Sequence, residues 1–127
     1  MKLYAGTSGY AYKEWKACFY PLDLPAKRML HYYGEHFRTV EINSTFYRMP
    51  TVALLENWAG EVPADFRFVL KAPQRITHQR RLVDADEAVG HLLDVAVTLQ
   101  SRLGALLFQL PPSLKKDAQR LDAFLAL

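Results

Sequence analysis

The chain has 127 residues, of which 50% are hydrophobic and 23% are charged, so it can form the core of one domain and is not a disordered tail. Its net charge of +3 favours anionic partners, and its single cysteine, Cys18, excludes an internal disulfide. No apolar run reaches the roughly 18 residues of a membrane span, and the N-terminus lacks the apolar stretch of a signal peptide. We therefore expect a cytoplasmic protein without a membrane partner.

Strand-like and helix-like segments alternate along the whole chain. The predicted strands are 2–6, 39–42, 66–72 and 105–110, and the predicted helices are 23–37, 51–59, 84–104 and 117–127. For the helix at 84–104, Asp84 and Glu87 are the predicted capping pair and Gly104 is the predicted stop. The nearly continuous apolar strand 105–110 is typical of a strand that is buried on both faces.

This order predicts an α/β fold with parallel strands and right-handed crossovers. Doubly wound sheets and (β/α)8 barrels are the two architectures that fit it. The segment "GTSGYAYKEW" after the first strand lacks the third glycine of G-x-G-x-x-G, which disfavours a dinucleotide site. Four βα units amount to half of a barrel.

Four segments resemble, in order and spacing, the domain-of-unknown-function 72 family (DUF72, YecE-like proteins). They are "GTSGYAYKEWKACFYP", "YYGEHFRTVEINSTFYRMPT", "FRFVLKAPQRITH" and "LGALLFQLPPSLKKD". The resemblance implies a TIM-type (β/α)8 barrel of about twice this length, and it implies no particular reaction. We expect residues 1–127 to be a single domain that holds about the first four βα units, an incomplete half of that barrel. Its edge strands would be covered by another half, in the same chain or in a second copy.

Polar side chains gather where the predicted strands end, which is where barrels of this type keep their sites. Glu41 alternates with Val40 and Ile42, so its side chain is predicted to point into the barrel interior. Glu41 and Lys71 are the candidate catalytic acid–base pair, and a purely structural ion pair between them is the alternative. The candidate ligand-binding residues are Ser8, Tyr10, Asn43, Thr45, Tyr47, Arg48, Arg75, His78 and Gln109.

Several of these candidates also have structural interpretations. Asn43 and Thr45 could satisfy backbone groups of their own loop, and Tyr10 and Tyr47 could seal the mouth of the barrel. His78 and Glu41 lack an obvious third ligand, so we predict no metal site in this segment, and the sequence identifies no cofactor.

The segment between Asp65 and Asp84 contains no acidic residue but carries five basic side chains and a histidine, which are Arg67, Lys71, Arg75, His78, Arg80 and Arg81. This run and the polar strand ends lead us to expect an anionic small-molecule ligand, such as a phosphorylated sugar or a nucleotide. Whether the chain is an enzyme stays open. Two alternatives also stay open, namely a nucleic-acid-binding or endonuclease-like barrel, by analogy of fold alone, and an incomplete fragment without independent activity.

Overall fold

The computed structural model of the protein describes residues 3–127, in which four parallel strands form one sheet in the order β1-β2-β3-β4. The strands are β1 (Gly6–Ser8), β2 (Thr39–Ile42), β3 (Arg67–Lys71) and β4 (Leu103–Leu107). The α-helices are α1 (Met29–His36), α2 (Ser44–Tyr47), α3 (Val52–Glu61), α4 (Asp86–Ala96) and α5 (Ala118–Leu125). Shorter helical turns are a π-helix at Arg75–Gln79 and 3₁₀ segments at Lys13–Trp15, Ala26–Arg28 and Val97–Arg102. The predicted α/β fold with a parallel sheet is confirmed.

The two central strands lie where the sequence predicts them, but the first strand does not. Part of the predicted strand 2–6 lies outside the described residues, and β1 begins at Gly6 and continues to Ser8. A side chain on Gly6 would overlap the backbone oxygen of Thr39, its partner on β2. Gly6 therefore lets β1 approach β2 closely instead of ending a strand.

The predicted helix 84–104 is two elements, because α4 ends at Ala96 and a 3₁₀ segment with a positive φ of 49° at Gln100 follows. Gly104 lies inside β4, where an added Cβ would be 3.0 Å from the Cβ of Arg67, so it permits close packing of β4 on β3. The predicted capping pair is wrong. Ala85 holds the N-cap position without a side-chain hydrogen bond, and Asp84 stands one residue too early, in a left-handed conformation with φ of 48°.

Helices cover one face of the sheet, which we call the covered face. On it Val40, Ile42, Phe68 and Leu70 are at most 2% exposed. They pack in one cluster with residues of α1, α3 and the 3₁₀ segment Val97–Arg102. The buried Tyr33 of α1 belongs to this cluster. A second, smaller cluster joins the π-helix, α4 and α5 beside it.

The opposite face, which we call the open face, carries the alternate residues of the same strands. Strand register places Ser8, Glu41, Val69, Lys71, Ala105 and Leu107 on it. None of them belongs to either core cluster. The prediction that Glu41 points away from the side occupied by its apolar neighbours agrees with the burial pattern of β2.

Strand β4 is less buried than its composition predicts. It spans 103–107, not 105–110, and its residues are half-buried or exposed. The expectation of burial on both faces is wrong, because β4 is an edge strand of the sheet and only β3 pairs with it in residues 3–127. Within the same range, no helix is both long and apolar enough to cross a membrane.

Candidate functional site

A hydrogen-bonded network joins the carboxyl ends of β1 and β2 on the open face. The Ser8 hydroxyl donates to Glu41 Oε1 at 2.9 Å, and the Asn43 side-chain amide donates to the Ser8 hydroxyl oxygen at 2.8 Å. The strands also meet through the backbone, since the Gly9 N–H donates to the Glu41 carbonyl oxygen at 2.8 Å. Three of the predicted site residues, Ser8, Glu41 and Asn43, therefore lie together and hold one carboxylate in a fixed orientation.

Lys71 shares the open face with Glu41, but the two side chains do not form an ion pair in the part of the chain that the structure describes. Glu41 lies opposite Val69, and Lys71 is two residues farther along β3. The Lys71 ammonium group lies 5.1 Å from the centre of the Phe46 ring. Such a position is favourable for a cation and leaves its charge available to a ligand.

Two predicted ligand-binding residues are used by the fold instead. Thr45 is 1% exposed, and its hydroxyl lies 2.7 Å from the Lys71 carbonyl oxygen and 3.0 Å from that of Ile42. It therefore attaches α2 to the ends of β2 and β3. Tyr10 packs against the covered-face core, with its ring centre 6.2 Å from that of Tyr33, and burial together with the Glu61 charge raises its pKa.

His78 and Gln109 have separate surroundings. The Nδ1 atom of His78 lies 2.9 Å from the Thr77 hydroxyl oxygen, and its ring packs edge-on against Phe46 at 4.9 Å. Gln109 is exposed two residues after β4 ends and lines neither the network nor the cleft that follows. The described residues contain no cluster of three or more His, Cys, Asp or Glu that could hold a metal ion.

A cleft of about 450 Å³ opens between α2, the π-helix and α4. Its floor is apolar and includes Met49, Pro73 and Ile76. The polar residues that line it, and that define what we call the arginine cleft, are Arg48, Gln74, Arg75, Gln79, Arg80, Asp84, Glu87 and His91, with the exposed Tyr47 at its rim. The structure thus brings the predicted residues Tyr47, Arg48 and Arg75 into one cleft.

The cleft has three arginines and two acidic residues, so it keeps a positive charge in excess, and its arginines are not held in ion pairs in the described part of the chain. Arg80 donates to the backbone carbonyl oxygen of Asp84 at 2.6 Å, not to its carboxylate. Among residues 3–127, none of the three cleft arginines forms an ion pair with Asp84 or Glu87. Their guanidinium groups keep the donors that match phosphate or carboxylate oxygens.

The backbone around the cleft has an unusual conformation. The π-helix Arg75–Gln79 buries Ile76 and Thr77 while it leaves Arg75 exposed. Three residues that follow within a short stretch, Arg81, Leu82 and Asp84, have positive φ angles of 52°, 67° and 48°. π-Helical turns and strained residues of this kind are frequent at functional sites.

Sequence reasoning did not place Arg80, Glu87 or His91 in a site. Arg80 was noted only as part of the basic run. Glu87 and His91 lie on α4, far along the chain from Arg48. No local pattern predicts a π-helix, so the direction in which its residues point was not available from the sequence.

Comparisons with known proteins place these observations in a family. The family model described as "Protein of unknown function DUF72" matches residues 4–127. The UPF0759 protein YunF of Bacillus subtilis is 31% identical, over 87% of this chain and 40% of that protein. The UPF0759 protein YecE of Escherichia coli K12 is 37% identical, over 65% of this chain and 30% of that protein. The chain thus spans less than half the length of these relatives.

Solved structures give the same result. The crystal structure of a DUF72 family protein from Thermotoga maritima superposes with a TM-score of 0.76 at 31% identity, over 97% of this chain and 49% of that one. A DUF72 family protein from Enterococcus faecalis superposes with a TM-score of 0.65 at 25% identity, over 76% of this chain and 37% of that one. None of these names states an activity.

Proposed function

The chain belongs to the DUF72 family, whose function is unknown, and we propose that it binds an anionic small molecule in the arginine cleft, with a phosphorylated sugar as the ligand class that the cleft suits best. The observation that supports this proposal is the set of three arginines, Arg48, Arg75 and Arg80, that line one cleft and that form no ion pair with an acidic residue among residues 3–127. A phosphate group accepts paired hydrogen bonds from guanidinium groups in this kind of setting.

The remaining polar groups of the cleft favour a sugar as the uncharged part of the ligand. The Asp84 and Glu87 carboxylates accept hydrogen bonds from hydroxyl groups, and the Gln74 amide both donates and accepts. Tyr47 is 74% exposed at the rim, where its ring offers a face for stacking. A nucleotide would use the same arginines and the same ring, so the two classes are separated by experiment below.

Glu41 and Lys71 are our proposed residues for chemistry on the bound ligand. Phe46 lines the cleft and also contacts the Lys71 ammonium group, so it lies between the cleft and the open face. Glu41 would act as the acid or base, since its carboxylate accepts a hydrogen bond from the Ser8 hydroxyl, which Asn43 holds in turn. Exchange of ligand carbon-bound protons with solvent deuterium, followed by NMR, would detect such chemistry, and Glu41→Gln should abolish it.

We also propose that the sheet belongs to a (β/α)8 barrel, of which residues 1–127 form one half. Parallel strands in sequential order, with the described helices of residues 3–127 packed on the covered face, support this arrangement. The arginine cleft would then lie at the carboxyl-terminal rim of the barrel and Glu41 would lie in its interior.

Calorimetric titration with inorganic phosphate, ribose, ribose 5-phosphate and adenosine monophosphate tests the ligand proposal. We expect ribose 5-phosphate to bind more tightly than phosphate alone and ribose not to bind. Arg75→Ala and Arg48→Ala should each weaken binding about 10- to 100-fold, since a hydrogen bond to a charged group contributes about 1.5–3 kcal/mol. Arg28→Ala is the matched control, because Arg28 is exposed in a 3₁₀ segment outside the cleft.

Four results would contradict this ligand class. Absence of phosphate binding, or an Arg75→Ala variant that binds like Arg28→Ala, would remove the anion site itself. Tighter binding of adenosine monophosphate than of ribose 5-phosphate would favour a nucleotide. Tight binding of oligonucleotides that falls steeply with salt would favour the nucleic-acid alternative.

A further inference from the structure

The molecule carries two apolar surfaces that have no cover within residues 3–127. One is a groove of about 330 Å³ beside β1, lined by Thr7, Trp15, Cys18, Phe19 and Phe37, which we call the aromatic groove. The other is the outward side of α5, which we call the leucine face, where Leu121 is 42% and Leu125 is 72% exposed. We propose that the leucine face of one copy docks into the aromatic groove of a second copy, and the reverse.

The aromatic groove is preformed. The ring centre of Phe19 lies 5.9 Å from that of Trp15 and 5.7 Å from that of Phe37, so the rings hold one another in place. Both Trp15 and Phe19 pack against the covered-face core from its margin. The groove therefore lies in the helical layer next to edge strand β1, at a position where a further helix can pack.

The leucine face is also preformed. Phe124 is buried and packs edge-on against Phe108 at 5.1 Å, which fixes the side of α5 that faces the molecule. Leu121 and Leu125 are four residues apart and share another side of the helix. Asp117 caps the helix by accepting a hydrogen bond from the Arg120 N–H at 3.0 Å. Little order would have to be gained on docking, which favours association.

The positions of the two edge strands explain why the occupant is a second copy. The leucine face follows β4 and the aromatic groove flanks β1, and these are the two edges of one parallel sheet. A two-fold axis that sets β4 beside the partner's β1 also sets each α5 over the partner's groove, so one contact repeated twice closes the assembly.

Apolar contact, more than backbone pairing, would supply the attraction. The Tyr12 hydroxyl already donates to the Ser8 carbonyl oxygen, so part of the outer edge of β1 is satisfied. Strand β4 offers apolar side chains that its edge position leaves half-exposed, among them Leu106 and Leu107. Closure would cover the open face and surround Glu41 and Lys71, although the docking proposal does not depend on ligand binding in the arginine cleft.

The single cysteine of the chain provides the test, because Cys18 is exposed and lines the groove. In Leu125→Cys, mild oxidation should form a covalent dimer, and peptide mass spectrometry should join residue 18 of one copy to residue 125 of the other. The control is Val97→Cys, at a position that is 64% exposed on the 3₁₀ segment and outside both surfaces. Equal crosslinking in both variants, or none in Leu125→Cys, would overturn the proposal.

Light scattering of the unmodified 127-residue chain gives a second, independent readout. We expect a discrete dimer that Leu125→Asp converts to a monomer and that Val97→Asp leaves intact, with circular dichroism showing that both variants remain folded. A folded monomer of the unmodified chain at about 100 μM, or only undefined aggregates, would contradict docking of a second copy.

Discussion

The two faces of the sheet differ although the same strands form both. On the covered face, Val40 and Phe68 are fully buried under helices, whereas on the open face Glu41 and Lys71 are half-buried and keep polar groups available. Because side chains alternate along a strand, any two consecutive residues place one side chain on the covered face and the other on the open face. Buried core residues and polar open-face residues are therefore separated by a single residue step, and substitutions at adjacent positions can compare their effects on stability.

Two tyrosines, Tyr33 and Tyr47, have contrasting surroundings. Tyr33 lies under the covered face and bridges two strands, since its hydroxyl lies 2.9 Å from the Thr7 N–H nitrogen and donates to the Thr39 carbonyl oxygen at 2.9 Å. Tyr47, in contrast, is exposed at the rim of the arginine cleft. The residue type is the same, and its position in the fold decides whether the ring is buried or exposed.

The largest difference between the faces should appear at positions 68 and 69. Phe68→Ala should lower the free energy of unfolding by about 3–5 kcal/mol, because it leaves a cavity in the core. Val69→Ala, on the open face, should cost about 1 kcal/mol or less. Denaturant unfolding of the two variants measures both values, and similar losses would show that the open face is also a packed core.

The contact between β1 and β2 provides the next test. Gly6→Ala should cost about 1–3 kcal/mol, because the added methyl group overlaps the Thr39 backbone and forces the strands apart. Gly90→Ala is the control, since the space around Gly90 in α4 is empty, and it should stabilise the protein by about 1 kcal/mol. A Gly6→Ala variant as stable as the original chain would contradict the strand contact.

The bridge made by Tyr33 should contribute less than a core ring but a measurable amount. Tyr33→Phe keeps the ring and removes the hydroxyl, which leaves the Thr7 N–H and the Thr39 carbonyl oxygen without this partner, at a cost of about 1–2 kcal/mol. Tyr47→Phe, at the exposed rim, should leave thermal stability unchanged. If Tyr33→Phe also left thermal stability unchanged, water would be forming the hydrogen bonds to the Thr7 N–H and the Thr39 carbonyl oxygen in its place.

Alkaline pH should weaken the covered layer. Burial raises the pKa of Tyr20 and, with the charge of Glu61, that of Tyr10, so both stay protonated in the folded state at a pH where they ionise in the unfolded chain. The contribution of these two tyrosines to the free energy of unfolding is at its full value below the ordinary tyrosine pKa of about 10, and it falls as the pH rises above that value. Unfolding curves between pH 8 and 11 should show this loss, and Tyr20→Phe should reduce its slope.

The smallest effect on stability is expected at Glu41. Glu41→Gln keeps an acceptor for the Ser8 hydroxyl on the open face and should change the free energy of unfolding by about 0.5 kcal/mol or less. A thermal melt at neutral pH measures this. A large loss would mean that the carboxylate holds the strands together and that its role is structural.

Much of the fold could be predicted where the information is local. β2 lies at the predicted residues 39–42, and the alternation of Val40, Glu41 and Ile42 gave their faces correctly. The last helix begins next to its predicted start, where Asp117 caps it. The predicted first strand was misplaced because Gly6 was taken as the end of a strand, and its need to approach Thr39 involves a partner far along the chain.

The candidate site was predictable only in part. Arg48 and Arg75 follow strands that are neighbours in the sheet, so their meeting in one cleft could be anticipated. Tyr10 was expected at the ligand but is half-buried and packs against the covered-face core, because a tyrosine can bury its ring as readily as it can expose it.

By itself the sequence determined the order of strands and helices, the parallel sheet and the alternating faces of β2, because these depend on periods of a few residues. Only the tertiary structure decided that Ser8, Glu41 and Asn43 form one network, that His91 joins Arg48 in a cleft, and that apolar β4 is an exposed edge. These features depend on contacts between residues far apart in the chain, which local periodicity does not encode.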